Sequence, residues 1–117
     1  ENAGHLVITL PARQELWTNY DSFNGHFKRY GLPDLEKLSV PGIRLSEASY
    51  FNHLLYPVFW VFARLIGKRG TDIKAPAGII ILVHRIISFI LQVDFLVFPH
   101  HLPGTSIIAV FSLADSN

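Results

Sequence analysis

Five polar side chains interrupt an otherwise apolar stretch at residues 75–98: His84, Arg85, Ser88, Gln92 and Asp94. At 100° per residue Arg85, Ser88 and Gln92 share one helix face, with His84 beside it. Arg carries five donors in a rigid fork, suited to a carboxylate such as a haem propionate or to a quinone carbonyl. His donates, accepts or relays a proton near neutral pH. The plainer alternative is a structural Arg paired with an acid on a neighbouring subunit. Asp94 lies roughly opposite Arg85 on such a helix and makes a poor partner for it.

The stretch that must carry these groups is long. As a helix, residues 75–98 reach about 36 Å at 1.5 Å per residue, enough to cross the hydrocarbon core of a bilayer. A guanidinium there costs about 2.5–3.5 kcal/mol on insertion scales, so the polar stripe is expected to face other helices or a bound polar group.

The whole chain has 117 residues, half of them hydrophobic. Residues 1–49 are mixed, with six acids and five bases, whereas residues 50–113 hold nearly all the long apolar runs. That distribution favours a membrane protein. A net charge of +1 gives no argument for nucleic acid. Lys68, Arg69 and Lys74 crowd the connection between two apolar segments, opposed by Asp72, and no Lys or Arg follows Arg85. The positive-inside rule places that connection on the cytoplasmic or matrix side. Without cysteine the chain has no disulfide, haem thioether or iron–sulfur ligand. It also lacks methionine, even at position 1. A processed product, a fragment or an N-terminus trimmed after organelle import fits that.

Three segments follow: an extramembrane region over 1–46, a helical hairpin over 47–98 and a tail over 99–117. Residues 5–10 read as a short strand ended by Pro11. From Pro11 to Tyr30, Leu16, Tyr20, Phe23, Phe27 and Tyr30 recur at helical spacing, with Gly31 as a cap. We read an amphipathic helix there, packed on a neighbouring subunit, at a membrane interface or simply in a core. Asn24-Gly25 offers a hairpin turn instead. Residues 31–45 read as an irregular connector. Ser46 then caps a first apolar helix over 47–66, which either spans or lies at the interface, kinked at Pro57. The second helix, over 75–98, starts near Pro76 in a first-turn position and stops at Pro99. The apolar run at 106–113 is too short for another span. The expected fold class is therefore an all-α membrane protein with one or two transmembrane helices.

The segment Thr71-Asp-Ile-Lys-Ala-Pro-Ala-Gly-Ile-Ile-Ile-Leu-Val-His-Arg-Ile-Ile-Ser88 resembles the first spanning helix of the cytochrome b large subunit of succinate dehydrogenase, the complex II membrane anchor. That family shows an Ile-Tyr-Lys-Pro-like segment, about ten apolar and small residues, then Ser-x-x-His-Arg-x-[Ser/Thr]-Gly. Ile73-Lys74 and His84-Arg85 stand at nearly that spacing. The family's Ser position is Ile81 here and its Gly position is Ser88. The resemblance implies ubiquinone contacts at Arg85 and Ser88, and haem b propionate contacts at His84 and Arg85. It further implies flavoprotein, iron–sulfur and second anchor subunits as partners, membrane lipids around the helices, and the mitochondrial inner membrane as the location. The chain would be a non-catalytic subunit of a succinate–quinone reductase.

Other signals carry less. His100-His101 lacks further ligands at metal spacing and reads as a helix-end cluster. His53 reads as a structural histidine, with axial haem ligation as the alternative. No phosphate-binding glycine loop, hydrolase elbow or paired-carboxylate arrangement stands out. Two other classes compete with the anchor subunit. One is a structural accessory subunit of the ATP synthase or complex I; the other is a soluble α-helical domain with a very apolar core.

Overall fold

A computed structural model describes residues 4–38, 40–68, 74–75 and 77–113. Three strands form one sheet: β1 (His5–Pro11), β2 (Ile43–Phe51) and β3 (Ser106–Leu113), in the order β1-β3-β2. β3 pairs antiparallel with both neighbours, so β1 and β2 run parallel to each other with β3 between them. Parallel strands need a crossover. Residues 12–42 supply it with a 3-10 turn (Gln14–Leu16) and two one-turn helices, α1 (Asn19–Phe23) and α2 (Leu32–Glu36). After β2 come α3 (Leu55–Leu65) and α4 (Ile79–Val97), and the chain returns as β3.

Each strand has a local cause. β1 is a run of apolar and β-favouring residues that ends at Pro11, which has no N–H for a ladder. β2 alternates Ile43, Leu45, Ala48 and Tyr50 with polar residues. Its register shifts between Leu45 and Glu47, so Ser46 is the extra residue of a bulge. β3 follows the breaker Pro103-Gly104. Gly104 is required there, because a Cβ would run into the Phe51 carbonyl.

Residues paired across antiparallel strands share a face. Ile107, Ala109 and Phe111 of β3 therefore join Ile8 and Leu10 of β1 and Ala48 and Tyr50 of β2, and Leu35 of α2 closes this face into the core. The opposite face holds Val7, Thr9, Ile108, Val110 and Phe51. It is much less covered, with Val7 56% exposed.

The all-α membrane architecture is thus corrected to a mixed α/β fold with a three-stranded sheet. Runs too short to cross a bilayer pair with one another instead. The helix expected over 47–66 is strand up to Phe51. The chain turns at Asn52 (φ 59°) and becomes helical only at Leu55. The amphipathic helix expected over 11–30 is reduced to α1, because the chain turns at Asn24-Gly25 (φ 72° at Gly25) and leaves Phe27 98% exposed. No hairpin forms at that turn. The second helix is present as Ile79–Val97. Pro76, Arg69, Asp72 and the Thr71-Asp72-Ile73 part of the resembled motif lie outside the described residues.

α4 is long and apolar enough to cross a membrane by length and composition, and Asp94 is its one buried residue. Asp94 is buried within the fold. It accepts the backbone N–H groups of His53 (2.8 Å) and Leu54 (3.0 Å), tying α4 to the start of α3. Topology adds a constraint. β2 and β3 are neighbours in one sheet, so the chain between them returns to the side it left. Any crossing by α4 therefore needs a second crossing within residues 52–78. Among the described residues the helix available there, α3, has 11 residues and reaches about 16 Å, half the hydrocarbon thickness.

Candidate functional site

Parallel β1 and β2 point their carboxyl ends the same way. Here that edge carries the densest polar network among the described residues, and two non-glycine residues with positive φ. Arg13 (φ 69°) follows β1 and Asn52 (φ 59°) follows β2. Such conformations cost free energy and gather at functional sites.

The network is assembled by the crossover. Tyr30 N–H donates to the Pro11 carbonyl (2.8 Å) and Arg13 N–H to the Tyr30 carbonyl (2.9 Å), pinning residues 26–30 beside the end of β1. Arg29 is thereby buried, its N–H on Gln14 Oε1 (2.9 Å) and its Nη1 on the Ala12 carbonyl (3.2 Å). Its Nε donates to Asp21 Oδ1 (2.8 Å). Asp21, fully buried, also accepts the Thr18 N–H on Oδ2 (3.0 Å), the reciprocal half of a capping box that starts α1.

The third partner is His26. Its Nδ1 lies 3.1 Å from Asp21 Oδ1. Burial alone would raise the Asp21 pKa. The Thr18 N–H, His26 and Arg29 outweigh it and hold the carboxyl below its ordinary value. An ionised carboxylate only accepts, so Nδ1 carries the proton and Nε2 is left with a lone pair. The His26 side chain is 37% exposed, against 1% for Asp21. It lines an open cavity of about 440 Å³ with Asp21, Arg29, Tyr20, Phe51 and Phe59, at the junction of β1, β3 and α3. An aspartate that fixes the tautomer of a histidine facing a cavity is the arrangement of a general base and its orienting group.

Beside it, the Tyr56 hydroxyl donates to Glu15 Oε1 (3.0 Å) and Arg13 Nε donates to the same oxygen (2.8 Å). Burial pushes the Glu15 carboxyl up, but its own backbone N–H, Tyr56 and Arg13 more than offset this and leave it lowered. The Arg13 guanidinium also lies over the Tyr50 and Tyr56 rings at 5.9 and 5.5 Å. This second cluster holds the 3-10 turn and α3 at the same edge.

The residues singled out in the sequence lie elsewhere. His84, Arg85 and Ser88 are exposed on α4, and no ion pair among the described residues includes either His84 or Arg85. Ser88 and Gln92 do meet, on the wall of a second cavity between α4 and the less covered sheet face. His53 is buried, with Nδ1 3.1 Å from the Pro103 carbonyl and Nε2 without a partner. His100 is exposed, its ring 5.7 Å from that of Phe95. No group of three or more His, Asp or Glu among the described residues has the placement of a metal site. The chain matches no protein-family model, no curated protein and no solved structure.

Proposed function

We propose that the protein binds a small aromatic molecule bearing a hydroxyl at the carboxyl ends of β1 and β2, with His26 accepting the hydroxyl's hydrogen bond. The observation that carries this reading is the Asp21–His26 contact of 3.1 Å in an open cavity. The hydroxyl donates a hydrogen bond to His26 Nε2 and keeps its proton, because a phenol is a far weaker acid than imidazolium. The Asp21 carboxylate, which stays ionised because Arg29 and the Thr18 N–H hold it so, accepts from Nδ1 and leaves Nε2 as the acceptor. Tyr20, Phe51 and Phe59 supply walls for the ring. The volume falls within the range of about 300–1,000 Å³ of small-molecule sites.

The test is calorimetric titration with 4-ethylphenol. Wild type binds, and His26→Ala weakens binding about tenfold, the size of one lost hydrogen bond to a polar partner. Equal affinities would sink the reading.

A second reading rests on the exposed apolar surface of α4. In it the chain is an anchor subunit of succinate dehydrogenase in the mitochondrial inner membrane, with Arg85 and Ser88 on ubiquinone and His84 and Arg85 on haem b propionates. Those side chains are exposed on one helix, so flavoprotein, iron–sulfur or second anchor subunits would have to build the rest of either site. It stands second because α4 would need a companion crossing within residues 52–78. Co-purification of flavin and succinate oxidation in mild detergent would support it; their absence would remove it.

A further inference from the structure

The polar cavity holding His26 shares part of its wall with a second space. Thr9 and Phe51 line it and also line the larger cavity of about 680 Å³ beneath α4, so the two spaces adjoin. The walls differ in kind. The first space carries Asp21, His26 and Arg29; the second is bounded by Leu91, Phe95, Leu96 and Ile108, with Ser88 and Gln92 on one side. Ile108 and Thr9 are paired across β3 and β1 on the sheet face that the core leaves uncovered. Leu91 and Phe95 are one turn apart on α4, so the second space is a groove between a helix and a sheet, open to solvent and adjoining the site at Thr9 and Phe51.

A polar end and an apolar groove joined in line fit one kind of molecule. We infer that the ligand of the Asp21–His26 site is an amphiphile: a hydroxylated aromatic head beside His26, with a hydrocarbon tail running past Thr9 and Phe51 into the groove under α4. This rests on the proposed function of that site and adds the class of its ligand. The apolar outer surface of α4 suits a protein that takes such a molecule from a lipid phase, where its tail resides.

The experiment compares two probes, 4-ethylphenol and 4-octylphenol, by calorimetric titration of the full chain. Both carry the same head; the second adds six methylenes. Wild type is expected to bind 4-octylphenol at least about tenfold tighter, from burial of the added apolar area. Leu91→Gln, in the groove, should weaken 4-octylphenol about fivefold and leave 4-ethylphenol unchanged. Ile81→Gln, exposed on α4 outside the groove, should leave both unchanged. Equal affinity for the two probes, or an Ile81→Gln loss as large as that of Leu91→Gln, overturns the inference, the latter because it marks adsorption along the helix. The head site fails separately. If His26→Gln leaves both probes at wild-type affinity while Leu91→Gln acts on 4-octylphenol alone, the groove binds tails and the His26 reading falls.

Discussion

Asp21 meets three donors with one carboxylate: the Thr18 N–H, His26 and Arg29. Removing it strands a buried guanidinium. Asp21→Ala should therefore destabilise the fold by roughly 3–5 kcal/mol, measured by urea denaturation. The pH dependence has a definite sign. The folded carboxyl lies below its unfolded value of about 3.9. Its stabilisation is complete above that value and disappears as pH falls through the lower folded pKa. The stability gap between wild type and Asp21→Asn should thus shrink as pH falls below about 4; a gap that widens in that acid range would contradict this. Little of this was legible in the sequence. The step of five from Asp21 to His26 matches no helical or strand period, because α1 ends and the chain turns between them. The aromatic recurrence from Leu16 to Tyr30 suggested one continuous helix, on which these three side chains would not converge. The one local sign was Thr18-x-x-Asp21, half of a capping box, followed by the breaker Asn24-Gly25.

Two connections hold the elements around the site. Asp94 accepts two backbone N–H groups at the start of α3, and Asp94→Ala leaves both without a partner. A loss of about 2 kcal/mol or more is expected, with Asp94→Asn losing less. Gly104→Ala drives a Cβ into the Phe51 carbonyl and should cost about 1–3 kcal/mol, separating β3 from the end of β2. Thermal melts of the three variants check both. Element by element, the sequence was readable where one signal dominates. β1 was legible because its apolar run ends in proline. α4 was legible because its apolar run is long. β2 was hidden, since the bulge at Ser46 breaks its alternation and Ser46-Glu47 imitates a helix start. β3 was hidden because an eight-residue apolar run, judged only against bilayer thickness, has no assignment until a partner strand is found.

At the scale of the molecule, the sheet decides what α4 is able to do. Strands drawn from both ends of the chain pair within one layer, so the segment between β2 and β3 makes an even number of membrane crossings or none. α3, the other helix among the described residues of that segment, has 11 residues, so a prediction follows for a chain that stays on one side. Cysteines placed at Lys68 and Ser112 should then label from the same side of reconstituted vesicles with an impermeant reagent; labelling from opposite sides would establish a spanning hairpin. The exposed apolar residues of α4 are better explained as a surface that meets lipid or a lipid-like ligand beside the site. Recognition at the site turns on the state of one ring, His26. In nitrogen NMR at about pH 8, where an ordinary imidazole is neutral, His26 should carry its proton on Nδ1, held by Asp21. Adding 4-ethylphenol should move the Nε2 resonance and leave Nδ1 hydrogen-bonded. A proton on Nε2 in the free protein, or an Nε2 signal indifferent to the phenol, would contradict the account.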